Sequence, residues 1–274
     1  PKCTEVPLSD VNKAWQILSE LGINKTDKLV CLHVRDSAYL SSFSAVHDFS
    51  YHDFRDAKIE TYKKSVEHLI SQGYKVVRIG ANTNQELEIN DPNYFDFCLQ
   101  RNELHGDFLE VFILDVCQFF IANYGGPYGV AAMFDTPTLV VNGVPIQQPY
   151  MKYGRFIPKR LFQGDNEVNL LDVCLGKPLS EDNHAPIYLS FNSAVFEKYG
   201  YRYIDNTEDE ILQAVIEFEK SVENRILDMS FTEKQMSYFN ALPDSFCHKN
   251  KCVITDSFLT AHEDTFKLTT NFEK

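Results

Sequence analysis

Strand-like and helix-like patterns alternate along the first 145 residues, and this constrains the fold more than any other feature of the chain. The apolar run "LVCLHV" (29–34) reads as a strand. A polar and aromatic loop at 37–54 follows, then a helix opening near Asp56 with Ile59, Tyr62, Val66 and Leu69 at helical spacing. "YKVVRIG" is a strand ending at Gly80, and "YFDFCL" is another. Phe108, Leu109, Phe112, Ile113 and Val116 mark a helix, "CQFFIAN" a buried strand, "VAAMF" a short helix and "TLVVN" a strand ending at Asn142. Ahead of these, Ser9 to Leu21 forms an amphipathic helix, with Ser9 as its cap and Gly22 as its stop. Alternation of this kind builds a mostly parallel sheet with helices on both faces. The expected fold is therefore α/β and Rossmann-like, with its ligand at the carboxyl ends of the strands.

Beyond Asn142 the alternation stops. Pro145, Pro149, Pro158, Pro178 and Pro186 punctuate an irregular stretch. Two helices with capping boxes follow, Thr207 with Glu210 and Thr232 with Gln235. Residues 1–145 are expected to form the ligand-binding region. Residues 146–274 are expected to be irregular and then helical, packed on the same domain.

Composition narrows the partners. At 274 residues, 44% of them hydrophobic, the chain can bury a full core. A net charge of −13 and the lack of any Lys/Arg-rich run argue against nucleic acid. No apolar run reaches the roughly 18–20 residues that span a bilayer. Leu109 to Ala122, the most apolar segment, is broken by Asp115 and Gln118. The residues ahead of the first helix carry no charged-then-apolar leader pattern, so a secretory leader is not expected. Seven scattered cysteines fit buried reduced thiols in a cytoplasmic protein better than a disulfide framework. Cys247 and Cys252, with His248 between them, lack a second ligand pair nearby, so no metal site is expected. A start at Pro1 rather than Met fits a piece of a longer protein.

Chemistry-bearing residues gather at two strand ends. His33, Arg35, Asp36, Ser37 and Tyr39 follow the first strand. An arginine there suits a phosphate, because its planar fork donates two hydrogen bonds and keeps its charge. The same spacing also fits a structural Arg–Asp pair beside a hydrogen-bonded core histidine. The second group is "IANYGGPYGVAAMF", where Asn123, Tyr124, Gly125, Gly126 and Tyr128 join a buried strand to a helix start. Glycines let backbone amides approach an oxyanion, and a helix N-terminus favours negative charge. Glycine pairs also make ordinary turns.

A third stretch, residues 47–62, holds His47, Asp48, Tyr51, His52, Asp53, Arg55 and Asp56. It could supply a general base or acceptor contacts. It equally fits a solvated loop with Asp56 as a helix cap. Asp96, an acid amid aromatics, and Asn142, at a strand end, are further candidates.

The G-G-x-x-G spacing is not the dinucleotide fingerprint, and no P-loop or D-x-D triplet is present. These exclusions leave a metal-independent phosphate site, in which arginine and helix amides neutralise a leaving diphosphate.

The quoted motifs resemble a family of bacterial glycosyltransferases of surface-polysaccharide gene clusters. The resembling stretches are "VCLHVRDSAY", "FRDAKIETY", "GYKVVRIG" and "FLEVFILDVCQFFIANYGGPYGVAAMFDTPTLVVN". "IPKRLF" and "ITDSFL" resemble it more weakly. "HVR" is also similar to the strand-end His-x-Arg of the fucosyltransferase superfamily. The resemblance implies a GT-B-type nucleotide-sugar site. Arg35 would be its diphosphate ligand, and residues 123–128 would cradle the diphosphate or nucleoside, with Ser37 beside them. Two positions depart from the pattern: Gly125-Gly126 stands where Ser-Gly is usual, and Lys58 where an acid is usual.

The resemblance therefore implies a metal-independent, inverting transferase that uses a nucleoside-diphosphate sugar as co-substrate and needs no cofactor. Its acceptor would be a glycan or lipid-linked glycan, and its location the cytoplasm or the inner membrane face. His33 and Asp36 are the preferred bases, with Asp53 in reserve. About 270 residues leave little room for a separate acceptor domain, so flanking domains are expected. The alternative is a non-catalytic module of the same fold that binds a glycan or a partner protein.

Overall fold

The computed structural model describes residues 4–43, 49–99, 106–146, 151, 153–190, 192–223, 231–242 and 252–266. His47, Asp48, Cys247 and His248 lie outside them. Among the described residues, seven strands form the main sheet: β1 (Lys28–His33), β2 (Tyr74–Arg78), β3 (Tyr94–Asp96), β4 (Phe119–Ala122), β5 (Thr138–Gly143), β6 (Gly154–Pro158) and β10 (Val253–Ile254). Their order is β3-β2-β1-β4-β5-β6-β10, and every neighbouring pair is parallel. The first six stand in the doubly wound Rossmann order, which reverses direction between β1 and β4. Register there runs from Val30 opposite Phe119 to His33 opposite Ala122.

Continuous apolar runs make the central strands. Leu29 to Leu32 and Phe119 to Ala122 are buried on both sides, as parallel strands under two helical layers must be. Helix α3 (Lys63–Ser71) joins β1 to β2, and α5 (Gly126–Met133) joins β4 to β5. These crossovers travel in opposite directions, so right-handed connections place the two helices on opposite faces. Helix α8 (Glu208–Glu223) packs on α3, β5 and β6. Helices α1 (Leu8–Glu20) and α5 pack on α4 (Asp107–Val116).

Both expected capping boxes are present. The Thr207 amide donates to Glu210 Oε2 at 2.6 Å while the Glu210 amide donates to Thr207 Oγ1 at 3.3 Å. Thr232 and Gln235 do the same before α9 (Glu233–Ala241). The α1 cap differs from expectation. Leu8 already lies in the helix and Pro7, with φ of −56°, is its N-cap, so Ser9 caps nothing. The loop at 37–54 contains α2 (Ala38–Phe43) and a 3-10 turn (Ser50–Arg55). Asp56 caps no helix, because it closes that 3-10 turn in extended backbone.

The sheet also continues past residue 145, through β6 and β10. A small antiparallel sheet of β7 (Arg160–Gln163), β8 (Asn166–Glu167) and β9 (Tyr201–Ile204) lies between β6 and β10 in sequence. Strand β6 reads as a loop because it starts with glycine and ends with proline. Gly154 is required there, since a Cβ would stand 2.8 Å from the Thr138 carbonyl oxygen.

Candidate functional site

At the reversal between β1 and β4 lies a cleft of about 470 Å³. The loop after β1 contributes Arg35, the 3-10 turn contributes His52 and Arg55, and the start of α5 contributes Gly125 and Gly126. Asn123, fully buried just past β4, ties these pieces together. Its Oδ1 accepts the Arg35 amide at 2.7 Å, and its Nδ2 donates to the Arg55 carbonyl at 3.2 Å.

Two guanidinium groups face this cleft. Arg35 Nη1 donates to the His52 carbonyl at 3.2 Å and pairs with Asp56. Arg55 Nη2 donates to the Tyr124 carbonyl at 3.1 Å. Arg55 Nε and His52 Nδ1 are buried with no hydrogen-bond partner among the described residues. Burial lowers the pKa of both groups, Arg55 further through the charge of Arg35 and His52 through both arginines. A bound anion would relieve that repulsion and take the open donors.

His33 also faces the cleft. Nδ1 lies 3.1 Å from the Ile79 carbonyl oxygen, so the neutral ring carries its proton there and leaves a lone pair on Nε2. Burial depresses its pKa to about 4, so the ring is neutral at pH 7. Nε2 points at the glycine turn, where a Cβ on Gly125 would stand 3.1 Å away. Gly126 has open space instead.

The other sequence candidates fall in different places. The Asp36 carboxylate is occupied: Oδ1 accepts the Ala38 amide at 2.9 Å, and Oδ2 accepts Thr83 Oγ1 at 2.9 Å and the Asn84 amide at 2.7 Å. Ser37 Oγ accepts Asn84 Nδ2 at 3.1 Å, fixing the same loop. Tyr39 is half exposed at the mouth of the cleft. Tyr124 and Tyr128 are buried, their rings edge-on at 5.2 Å. Asp53 is exposed and lines a neighbouring cleft. Asp96 is the buried partner of Arg78 at 3.0 Å, and Arg78 in turn holds Thr83 Oγ1 at 2.7 Å. Asn142, at φ of +54°, exchanges backbone-to-side-chain bonds with Asn206 at 2.7 and 2.6 Å.

Three further residues belong to this region. Asp56 sits against Arg35, yet burial outweighs that charge and pushes its pKa up to about 6. Lys159 directly follows β6, as Arg35 follows β1 one residue on. It is 3% exposed and meets Asp205 at 2.7 Å and the Asp56 carbonyl. Sequence carries no signal for it, because the strand it follows reads as a loop. Glu110 on α4 is buried and lines the first cleft. Among the described residues no cluster of three His, Cys, Asp or Glu could hold a metal ion, and no helix is long and apolar enough to cross a membrane.

No protein-family model and no curated protein matches the chain. Among solved structures it is similar to a glycosyl transferase family 9 protein from Veillonella parvula, with 16% identity and a TM-score of 0.45 over 80% of this chain and 53% of that one. It is similar to the ADP-heptose LPS heptosyltransferase II of E. coli, with 14% identity and a TM-score of 0.44 over 80% and 54%. A wall teichoic acid polymerase gives 11% identity and a TM-score of 0.33 over 88% and 48%. The chain spans about half the length of each of these structures.

Proposed function

We propose that this chain binds a nucleoside-diphosphate sugar and transfers its sugar to a hydroxyl of a glycan or lipid-linked glycan. The observation that carries this reading is the convergence of Arg35 and Arg55, held by one buried asparagine, on a cleft at the sheet's switch point. The doubly wound order puts ligands at this place. Two guanidinium groups and the α5 amides would hold the diphosphate and take up the charge of the departing nucleotide. They fill the role a divalent cation has in other transferases, so the reaction would need no metal. His33, neutral with Nε2 toward the glycine turn, would accept a hydrogen bond from a sugar hydroxyl. The displacement would proceed in one step with inversion.

A thermal-shift screen with UDP, GDP, ADP, TDP and CMP, each with and without EDTA, tests the reading. Ligands of the native state raise its melting temperature by mass action. The expected result is stabilisation by one nucleotide that survives EDTA. Stabilisation by none of the five would turn the assignment to a non-catalytic module of the same fold.

A further inference from the structure

The Arg35–Asp56 ion pair lies at the boundary between two clefts. Arg35 faces the first cleft and Asp56 faces a second of about 410 Å³, while Asp36 borders both. The second cleft has its own chemistry. Its apolar wall is made of Phe54 and Tyr203, two rings stacked at 5.9 Å and 30° and both braced by Phe196. Around them stand carboxylates, the amides of Asn84 and Gln85, and Lys58. Its charged lining comprises Asp36, Asp53, Asp56 and Asp205 against Lys58 and Lys159. An aromatic face ringed by donors and acceptors of both kinds matches a polyhydroxyl ring, apolar on its C–H face and polar at its edge. Its acidic excess disfavours a phosphorylated or sulfated ligand.

We propose that the second cleft takes the acceptor as a neutral polyhydroxyl glycan, and that Asp56 is the general base for the acceptor hydroxyl. This rests on the transferase reading of the first cleft. The acceptor O–H gives its proton to an Asp56 carboxylate oxygen. The acceptor oxygen then bonds to the anomeric carbon. The bond from that carbon to the β-phosphate oxygen breaks, and its electron pair leaves with the nucleoside diphosphate, whose charge Arg35 and Arg55 receive.

The other acids suit this step less well. Asp36 accepts three hydrogen bonds already, and Asp53 is exposed on the rim. Neutral His33, at about 4, holds a proton too weakly to serve as base near pH 7. Asp56, at about 6, is better matched, with Arg35, Lys159, Asp53 and Asp36 as the charges around it.

Isotope-labelled full chain titrated with UDP or GDP, and separately with maltose or lactose and with a sulfated disaccharide, separates the two clefts. The expected result is that nucleotide moves the backbone signals of Arg35, Gly125 and Gly126, while neutral disaccharide moves those of Lys58, Asn84 and Gln85 and the sulfated one does not. Nucleotides that move nothing overturn the transferase reading and this proposal with it. Nucleotides that move the first set while neutral disaccharides leave the second untouched overturn the acceptor site alone. Nucleotide release from the sugar nucleotide that binds is then compared in wild type and Asp56→Asn. The base assignment expects a fall of about 100-fold, nucleotide affinity unchanged or tighter, and loss of the acid limb near pH 6. A variant that binds nucleotide and turns over at the wild-type rate removes Asp56 from the mechanism.

Discussion

Asn123 accepts the backbone amide of Arg35 at 2.7 Å, so a residue just past β4 sets the position of the residue that would meet a phosphate after β1. The same side chain donates to the Arg55 carbonyl at 3.2 Å. Asn123→Ala leaves a partly buried N–H and C=O without partners. It should lower stability by about 1–3 kcal/mol, read from urea unfolding. Nucleotide affinity should fall with it, because both guanidinium groups lose their support.

Removing a guanidinium group tests the anion site more directly. Arg35→Ala should weaken nucleoside-diphosphate binding by roughly 1.5–3 kcal/mol, the range of a charged hydrogen bond. Arg55→Ala should weaken it similarly. It should also raise the pKa of His52, since the Arg55 charge is one of the causes holding it down. Calorimetric titration of both variants with the nucleotide found by the thermal screen gives the answer. Unchanged affinity in both would empty the first cleft of its assigned role.

The glycine turn offers a paired substitution. Gly125 has extended backbone that any residue adopts, but a Cβ there would crowd His33 Nε2 at 3.1 Å. Gly125→Ala should displace the imidazole and weaken nucleotide binding. Gly126→Ala adds a methyl into open space at the first turn of α5, where alanine is favoured over glycine by up to about 1 kcal/mol. It should be neutral or stabilising. Melting temperatures and nucleotide titrations of the two variants separate crowding from loss of backbone freedom.

Two half-buried groups pull the acid-side stability in opposite directions. Folded His33 titrates at about 4 against an ordinary 6.5, so between these values only the unfolded chain binds the proton. Its contribution to stability is complete above 6.5 and is lost as pH falls toward 4. Folded Asp56 titrates at about 6 against an ordinary 3.8, so in that window only the folded chain keeps the proton, and stability falls as pH rises. His33→Gln should flatten the loss of stability on acidification, and Asp56→Asn should steepen it. Urea midpoints measured from about pH 4 to 7 check both signs.

Much of the fold was legible because its signals are local. The apolar runs of β1, β2, β4 and β5 and the two threonine capping boxes announce themselves within a few residues. Strand β6 does not, because its glycine, arginine and proline carry no strand propensity. What makes it a strand is its pairing with β5, from Thr138 opposite Gly154 to Val140 opposite Phe156, a contact made by the sheet. The site divides in the same way. Arg35 is legible as an arginine at the end of a parallel strand. The pairing of Arg35 with Asp56 and the approach of Lys159 to the Asp56 carbonyl join residues 21 and 103 positions apart, and no sequence period encodes them. Asp36 looks like a free acid in sequence, and only the loop carrying Thr83 and Asn84 shows that its oxygens are taken.

Strand β10 reaches the sheet last. Val253 and Ile254 close on β6, whose residues Gly154 to Pro158 are all buried. During synthesis, about a hundred residues must leave the ribosome after β6 before its outer edge can be covered. For that interval the nascent chain carries an unpaired, mostly apolar strand edge, the kind that recruits other chains. A stop codon ahead of residue 253 would therefore make the defect permanent. Its product should appear as inclusion bodies rather than as a slightly weakened protein.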